Sequence, residues 1–596
     1  MLNKEQQLAV SQINGPVMCL AGPGAGKTHT IIQHILFLIR SQINPANILV
    51  ITFSKAAAKE LQTRFYEQVG NEFYPVTFGT FHSVFFQIIN SVHHYSVKNI
   101  LTLSRKKAYL KIAYANLNFN DKLSEEQCED ILQYIAKRKN SLFATDVSIN
   151  DDREPLFQEY CKVCKENRQI DFDDMIVLCY ELLTSDKDVR KFFQNQYQHI
   201  IVDESQDMNI AQYEILKILA KPQDNIMLVG DDDQSIYGFR GAMPQILSKF
   251  ESDFPNLKKI IFHQNYRSTK EIVNFSHKII QNNKYRFEKE YFTENENGNP
   301  VSILPFDNKE EEYQYLLHQI KEKSALYSYD RVACLFRTNL DAAYLQSLLV
   351  KENIPCVMKE LNWNPYHHFI WKDIWHYLRL AKGIGDLQDF YAIMNKPLRY
   401  FSRAALSEKD IDFNKLYLFY RHKSYMKTII DKFIYDLNQI KRMDFYSGIN
   451  YIRKVVGYDA FLKEMAYEEK KPVSEYMDIA DLLQNSIKSF DTLSEIENHI
   501  NLYEKSISGQ NERKNGVHIT TFHGAKGLEF DCVIIPDCNE GIIPHRRSMC
   551  DNEIEEERRM FYVAVTRAKK ELLITYVKGS HDSKSFVSRF IKEVIK

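Results

Sequence analysis

From residue 17 the sequence runs Val-Met-Cys-Leu-Ala-Gly-Pro-Gly-Ala-Gly-Lys-Thr, ending at Thr28. Its first four residues are apolar and bounded by turn residues, as in a buried strand. A glycine-rich turn follows, and Thr30 to Arg40 has the apolar density of a helix. Strand, glycine-rich loop and helix in that order make a phosphate-binding loop. The loop's backbone N–H groups cradle phosphate oxygens, and the helix N-terminus adds partial positive charge. Lys27 reaches the β- and γ-phosphates, and the Thr28 hydroxyl holds Mg²⁺. The first position of the G-x-x-x-x-G-K-[ST] pattern is Ala21. Gly22, Gly24 and Gly26 still supply small residues where backbone must approach phosphate closely. The pattern names a nucleotide and leaves the task of the protein to the other motifs.

Outward from this loop, strands and helices alternate. Ile48 to Phe53 reads as a second strand, Ser54 to Arg64 as a helix, and Tyr74 to Thr80 as a third strand. From about 90 to 195 the strand signal gives way to charged and aromatic helical patterns, such as Ser124 to Lys139. Strands return at His199 to Val202 and Ile226 to Val229, each followed by acidic residues. Further strands are expected at Val301 to Leu304, Val332 to Phe336, Val517 to Thr521, Asp531 to Ile535 and Glu571 to Tyr576. A helical stretch occupies about 381 to 510. Such alternation predicts parallel sheets with helices on both faces. The simplest reading is two α/β domains, each interrupted by a helical insertion.

A chain of 596 residues is too long for one ordinary core. Apolar residues make up 44% and charged residues 26%, as in a soluble globular protein. Lys and Arg number 77 against 78 Asp and Glu, so there is no global basic field and any nucleic-acid site must be a local groove. No apolar run approaches the ~20 residues of a membrane span. Met1 to Gln6 lacks the layout of a signal peptide. A cytoplasmic protein is expected. Cys161 and Cys164 form the only C-x-x-C among ten cysteines and read as helical thiols, not metal ligands.

Ile200-Ile201-Val202-Asp203-Glu204 reads as a buried strand ending in two carboxylates. In a doubly wound sheet such strand ends line the ligand crevice. Asp203 there holds Mg²⁺ through water beside Thr28, and Glu204 orients and deprotonates the water that attacks the γ-phosphate. Gly230-Asp231-Asp232-Asp233-Gln234 follows another strand, placing Gln234 to touch the γ-phosphate. Tyr237, Phe239 and Arg240 come directly after it and suggest a platform for stacked bases, which ignores base sequence. Arg267 and Arg567 are the candidates for the cations that phosphoryl transfer needs on its developing charge.

In this order, and nearly end to end, the segments resemble the UvrD/Rep/PcrA group of superfamily 1A DNA helicases. Leu2 to Gln6 looks like the Q motif. Thr52 to Ala57, Thr80 to Ser83 and Asp171 to Asp174 resemble motifs Ia and Ib and the group's acidic motif. Asp203 to Asp207, Gly230 to Ala242 and Gln264 to Ser268 resemble motifs II, III and IV. Phe336 to Asn339, Thr521 to Phe530 and Glu556 to Arg567 resemble the signatures of the second motor.

The resemblance implies two RecA-like P-loop motor domains, with ATP and Mg²⁺ as cofactors. It places motor domain 1A at 1–90 plus 196–269, insertion 1B at 91–195, motor domain 2A at 270–380 plus 511–596 and insertion 2B at 381–510. It implies catalytic roles for Lys27, Glu204, Gln234, Arg267 and Arg567. Gln6, Gly22, Gly24, Ala25, Gly26, Thr28, His29, Tyr266 and Glu529 join them in holding ATP, with Gln6 reading adenine and Tyr266 stacking on it. Thr28 and Asp203 are the Mg²⁺ residues. Phe53, His82, Tyr237, Phe239, Arg240, His523 and His545 are implied DNA contacts. The implied activity is ATP-dependent 3′ to 5′ translocation and unwinding, driven by ATP hydrolysis in the cleft between the two motor domains, in DNA repair, replication or recombination, by a chain that is a monomer when apo and binds single strands and single-strand/duplex junctions. The alternative is a helicase-fold DNA or nucleotide sensor in an anti-phage defence complex.

Departures from the group's pattern sharpen these expectations. His29 stands where the group often has Arg, and Phe239 where it usually has Trp. Between the last strand and Ser588 the group carries a β-hairpin with an aromatic tip. Here Val577 to Val587 is short, and its tip residues are Gly, Ser, His and Asp. The expectation is intact translocation with weak or partner-dependent strand separation.

Overall fold

Among the described residues, twelve strands make two sheets. The first contains β1 (Val17–Ala21), β2 (Ile48–Thr52), β3 (Thr77–Thr80), β4 (His199–Val202), β5 (Ile226–Gly230) and β6 (Lys258–Phe262). Its order is β3-β2-β4-β5-β1-β6, and every neighbouring pair is parallel. Along β1, Met18 and Leu20 enter one apolar core while Val17, Cys19 and Ala21 enter another. Burial on both faces is why these strands are continuous apolar runs with no polar alternation. The structure, a computed structural model, describes residues 2–70, 72–119, 123, 125–140, 153–238, 243, 245–358, 363–405, 411–469, 471–508, 515–579 and 586–595.

The second sheet contains β7 (Ser302–Phe306), β8 (Val332–Phe336), β9 (Cys356–Met358), β10 (Val517–Thr521), β11 (Phe530–Ile535) and β12 (Ala568–Val577), in the order β7-β12-β11-β8-β10-β9. Val332, Cys334, Phe336, Val517, Ile519, Cys532 and Ile534 line the core on one of its faces. The expected fold class holds: two parallel-strand α/β sheets with many helices, in the manner of RecA-like motors.

Each sheet is accompanied by a helical block with a core of its own. Leu110, Cys128, Ile135, Phe157 and Tyr160 pack together in the first block. Tyr366, Ile374, Phe433, Leu462 and Tyr503 belong to the core of the second. By contacts the chain forms two compact units. One comprises 1–300, 547–570 and 590–596; the other comprises 301–546 and 571–589. The helix Asp551–Val565 and Arg567 therefore belong to the unit that contains the glycine-rich loop.

In the first unit a buried charge cluster fastens the helical block to the sheet. Lys139, at the end of the helix Glu125–Asn140, sits 3.1 Å from Asp171 and 2.6 Å from Asp174. Lys106 reaches Asp171 at 2.9 Å. Burial opposes ionisation of Asp171, yet Lys139 and Lys106 hold it well below the usual carboxylate range. Burial and the neighbouring Asp171 push Asp174 up to about 6. Asn209 donates to Asn140 at 3.2 Å and caps the helix that follows the Glu204 segment.

Two strands carried no usable sequence signal. β6 begins with two exposed lysines at the sheet edge, and β9 is three residues long. Both are recruited by neighbours, not by local pattern.

Candidate functional site

The glycine-rich loop leaves β1 at its carboxyl end and enters the helix Lys27–Arg40. Gly26 caps this helix at φ +77° and, as a glycine, offers no side chain to its first N–H groups. A long helix whose N-terminal donors lack a side-chain cap is suited to an anion. Gly24 also has positive φ, at +69°. Neighbours set the loop from three sides. Gln6 Nε2 donates to Ala25 O at 3.0 Å, while its Oε1 accepts the Asn3 N–H. Asn265 Nδ2 donates to Pro23 O at 2.7 Å. The Tyr266 N–H donates to Gly24 O at 2.9 Å. Tyr266 is 44% exposed and stands beside Asn3, so the residues expected around adenine share one edge of the loop. His29 is exposed on the first turn of the helix.

From this loop the contacts run in a closed ring. Lys27 Nζ lies 3.1 Å from Glu204 Oε1. Gln206 donates to the other Glu204 oxygen, and its own Oε1 accepts the Asp231 N–H at 3.0 Å. Gln234 donates to Asp231 Oδ2 at 2.7 Å and accepts from Arg567 Nη2 at 3.3 Å. Next to Arg567, the carbonyl of Thr566 accepts from Arg267 Nη1 at 3.2 Å. Asn265 Oδ1 accepts the Arg267 N–H at 2.8 Å and returns the ring to the loop through Pro23. Lys27, Glu204, Gln234, Arg267 and Arg567 are thus gathered by one unit at the carboxyl ends of β1, β4, β5 and β6. Glu204 has φ +51°, a left-handed conformation that costs a non-glycine residue energy and tends to mark functional positions.

The donors beside Lys27 suit Mg²⁺. Thr28 supplies a hydroxyl and Asp203, 7% exposed at the end of β4, supplies a carboxylate. Both are hard oxygen donors, and Mg²⁺ in nucleotide sites takes one or two carboxylates together with phosphates and water. Among the described residues no group of three or more His, Cys, Asp or Glu could form an all-protein metal cage.

The UvrD/REP helicase N-terminal domain family matches residues 2–255, and the UvrD-like helicase C-terminal domain family matches residues 260–579. The chain belongs to the UvrD/Rep helicase family. It is 31% identical to the ATP-dependent DNA helicase Rep of Buchnera aphidicola subsp. Schizaphis graminum (strain Sg), over 96% of this chain and 93% of that protein. It is 30% identical to the ATP-dependent DNA helicase PcrA of Staphylococcus epidermidis (strain RP62A), over 100% of this chain and 86% of that one. A probable DNA helicase II homolog of Rickettsia conorii is 31% identical, over 100% and 96%.

On the side expected to meet DNA in this UvrD/Rep-family chain, Phe53 and Tyr237 stack with ring centroids 5.1 Å apart and planes 13° apart. The loop carrying Tyr237 is clamped by the Asp551–Val565 helix. Glu556 accepts the Gly238 N–H at 3.0 Å, and Arg559 donates to Ser235 O at 3.0 Å. His82 meets Phe172 edge-on at 5.3 Å, and burial lowers its pKa. Phe239 and Arg240 lie outside the described residues, as do residues 580–585 of the Val577 to Val587 stretch. His523 and Glu529 follow β10, and His545 lies in the turns after β11; all three belong to the second unit.

The family motifs did not point to a cage of buried charge behind Gln234. Lys289, fully buried, contacts Asp231 at 2.6 Å, Asp233 at 3.0 Å and Asp232. Arg286 grips Asp233 through both oxygens, at 2.9 and 2.7 Å. Burial disfavours a charged Asp233, but Lys289 and Arg286 hold it below the usual range. Burial pushes Asp232 up to about 6 despite Lys289, with Asp233 and Asp231 adding to the rise. Three acids directly after a buried strand demand cations. That demand is visible in the sequence, but which residues meet it is not.

Proposed function

We propose that this chain is an ATP-dependent DNA helicase that translocates 3′ to 5′ on single-stranded DNA in the cytoplasm. It works at single-strand/duplex junctions in repair, replication or recombination, and as a monomer it separates strands weakly. The reading rests above all on the ring of contacts that joins Lys27, Glu204, Gln234, Arg267 and Arg567. Lys27 neutralises the β- and γ-phosphates. Glu204 takes the proton of the attacking water. Arg267 and Arg567 stabilise charge that develops in transfer, a contribution of about 10³–10⁵ in rate for an arginine finger. Mg²⁺, when bound by Thr28 and Asp203, supplies charge neutralisation between the phosphates.

Coupling to DNA follows from the position of Tyr237. Gln234, three residues before it, contacts Asp231 and Arg567. Movement at the γ-phosphate sensor is thereby passed to the Phe53–Tyr237 stack, a ligand-biased two-state element. The four-part division into 1A, 1B, 2A and 2B and the placing of Glu529, His523 and His545 on the second motor belong to the same proposal.

ATPase and unwinding measured side by side on single-stranded, 3′-tailed and 5′-tailed substrates test it. The expected result is DNA-stimulated ATPase and unwinding that needs a 3′ tail. Full ATPase without DNA counts against translocation, and unwinding from 5′ tails alone reverses the polarity. Robust unwinding by the isolated monomer overturns the weak-separation reading.

A further inference from the structure

Gly22 and Tyr291 make a contact that neither the family motifs nor the proposed chemistry uses. A Cβ added to Gly22 would lie 2.4 Å from Tyr291 Cζ, 2.6 Å from Cε1 and 2.9 Å from the hydroxyl oxygen. Gly24 and Gly26 have positive φ, but Gly22 does not. Glycine at 22 is therefore required by space and not by backbone conformation. The Tyr291 hydroxyl is buried and has no hydrogen-bond partner among the described residues. Its ring fills the space over Gly22 that a Cβ would need.

The segment that carries the ring is held on both sides. Two residues before it, Lys289 is locked among Asp231, Asp232 and Asp233. One residue after it, the Phe292 N–H donates to His263 O at 3.0 Å, and Phe292 O accepts the Asn265 N–H at 2.8 Å. Asp231, which anchors Lys289, also accepts from Gln234.

We propose that Tyr291 is a positioning residue: its ring is the stop against which the phosphate loop is set, and residues 22 and 291 form a size-matched pair that governs ATP affinity. The inference rests on the reading of Val17 to Thr28 as the loop that holds ATP. Because the segment carrying the stop is anchored through Lys289 on the carboxylate that holds Gln234, the height of the loop and the position of the γ-phosphate sensor are set together.

The test is titration of a fluorescent ATP analogue into the full chain, with Gly22→Ala, Tyr291→Leu and the double variant. Gly22→Ala overpacks the contact and is expected to weaken binding by about tenfold or more. Tyr291→Leu removes the stop and is expected to weaken it by roughly threefold to fivefold. The double variant is expected to bind more tightly than Gly22→Ala alone, a coupling that independent sites do not show. Turnover at saturating ATP is expected to change less than affinity in all three. A double variant as weak as Gly22→Ala, or Gly22→Ala binding like the parent, overturns the inference. If Gly22→Ala does not fold, the double variant is expected to regain a cooperative thermal transition, and its failure to do so is equally decisive against the pair. A parent chain that does not bind the analogue sinks the phosphate-loop reading instead, while the thermal midpoints still decide the size match.

Discussion

Each sheet has a buried knot of carboxylates beside it, and the two knots are built differently. Next to the first sheet, Asp231, Asp232 and Asp233 face two cations, a fully buried Lys289 and the forked Arg286. Next to the second, Glu312 and Asp537 are buried with Asp341 close by, and Lys309, itself half-exposed, is their cation. Glu312 accepts from Thr575 and from the Asp537 N–H at 3.1 Å, while its Oε2 is buried without a partner among the described residues. Burial and then Asp537 push Glu312 up to about 7. Asp537 accepts from Tyr313 at 2.5 Å. Gripped by two cations, the carboxylates of the first knot are fixed in direction, as a sensor loop needs. In the second knot Lys309 pairs with Asp537, and burial raises the proton affinity of Glu312 beside them.

The largest expected effect tests whether chemistry belongs to the first knot. Arg567→Ala removes the guanidinium that touches Gln234, and its steady-state ATPase is expected to fall about 10³–10⁵-fold with ATP binding retained. A fall below tenfold would break the assignment. Next in size, Lys289→Met leaves three acids buried without their central cation and is expected to destabilise the chain by about 3–5 kcal/mol in urea unfolding. Lys309→Met should cost much less, because the lysine is half in solvent; equal losses would erase the contrast between the knots.

The second knot makes a pH prediction. The folded pKa of Glu312 lies above its ordinary 4.5. Between about 4.5 and 7 the folded chain therefore binds a proton that the unfolded chain has released. That contribution to stability is complete at the acid end of the window and is lost as pH rises, by up to about 1.4 kcal/mol per unit. Glu312→Gln, which keeps the shape and needs no proton, is expected to flatten the fall in apparent melting temperature between pH 5 and 8. An unchanged slope would show that Glu312 is ionised throughout. The smallest effect concerns DNA: Tyr237→Ala is expected to weaken single-strand binding by about 1–3 kcal/mol, the worth of one stacked base. An anisotropy titration with an oligonucleotide checks it, and a wild-type affinity would remove Tyr237 from the DNA surface.

Local pattern disclosed most of the strands and the order of the motifs. β4, β8 and β10 occupy the expected residues, because an apolar run bounded by turn residues is a complete local signal. β12 runs from Ala568 to Val577, longer than expected at both ends, since its flanks are polar. Lys27, Glu204 and Gln234 were legible because spacing from a strand end fixes their place. Lys289, Arg286 and Tyr291 were not. They sit in Lys284 to Thr293, a polar and aromatic stretch with no repeat, and act through partners more than fifty residues away. Asn265 was quoted only as part of a motif, although its amide is what holds Pro23 and Arg267 in register.

The three glycines of the phosphate loop are each gauged by a different part of the chain: Gly22 by Tyr291, Gly24 by the Cβ of Arg267 at 2.6 Å, and Gly26 by the Gln6 amide at 2.8 Å. In hereditary terms the loop cannot drift alone. A lineage that enlarges residue 22 must first, or soon after, shrink residue 291, so the order in which substitutions arrive matters as much as their identity. Grafting this loop into a relative, or a relative's loop into this chain, should succeed only when the matching gauge residue travels with it.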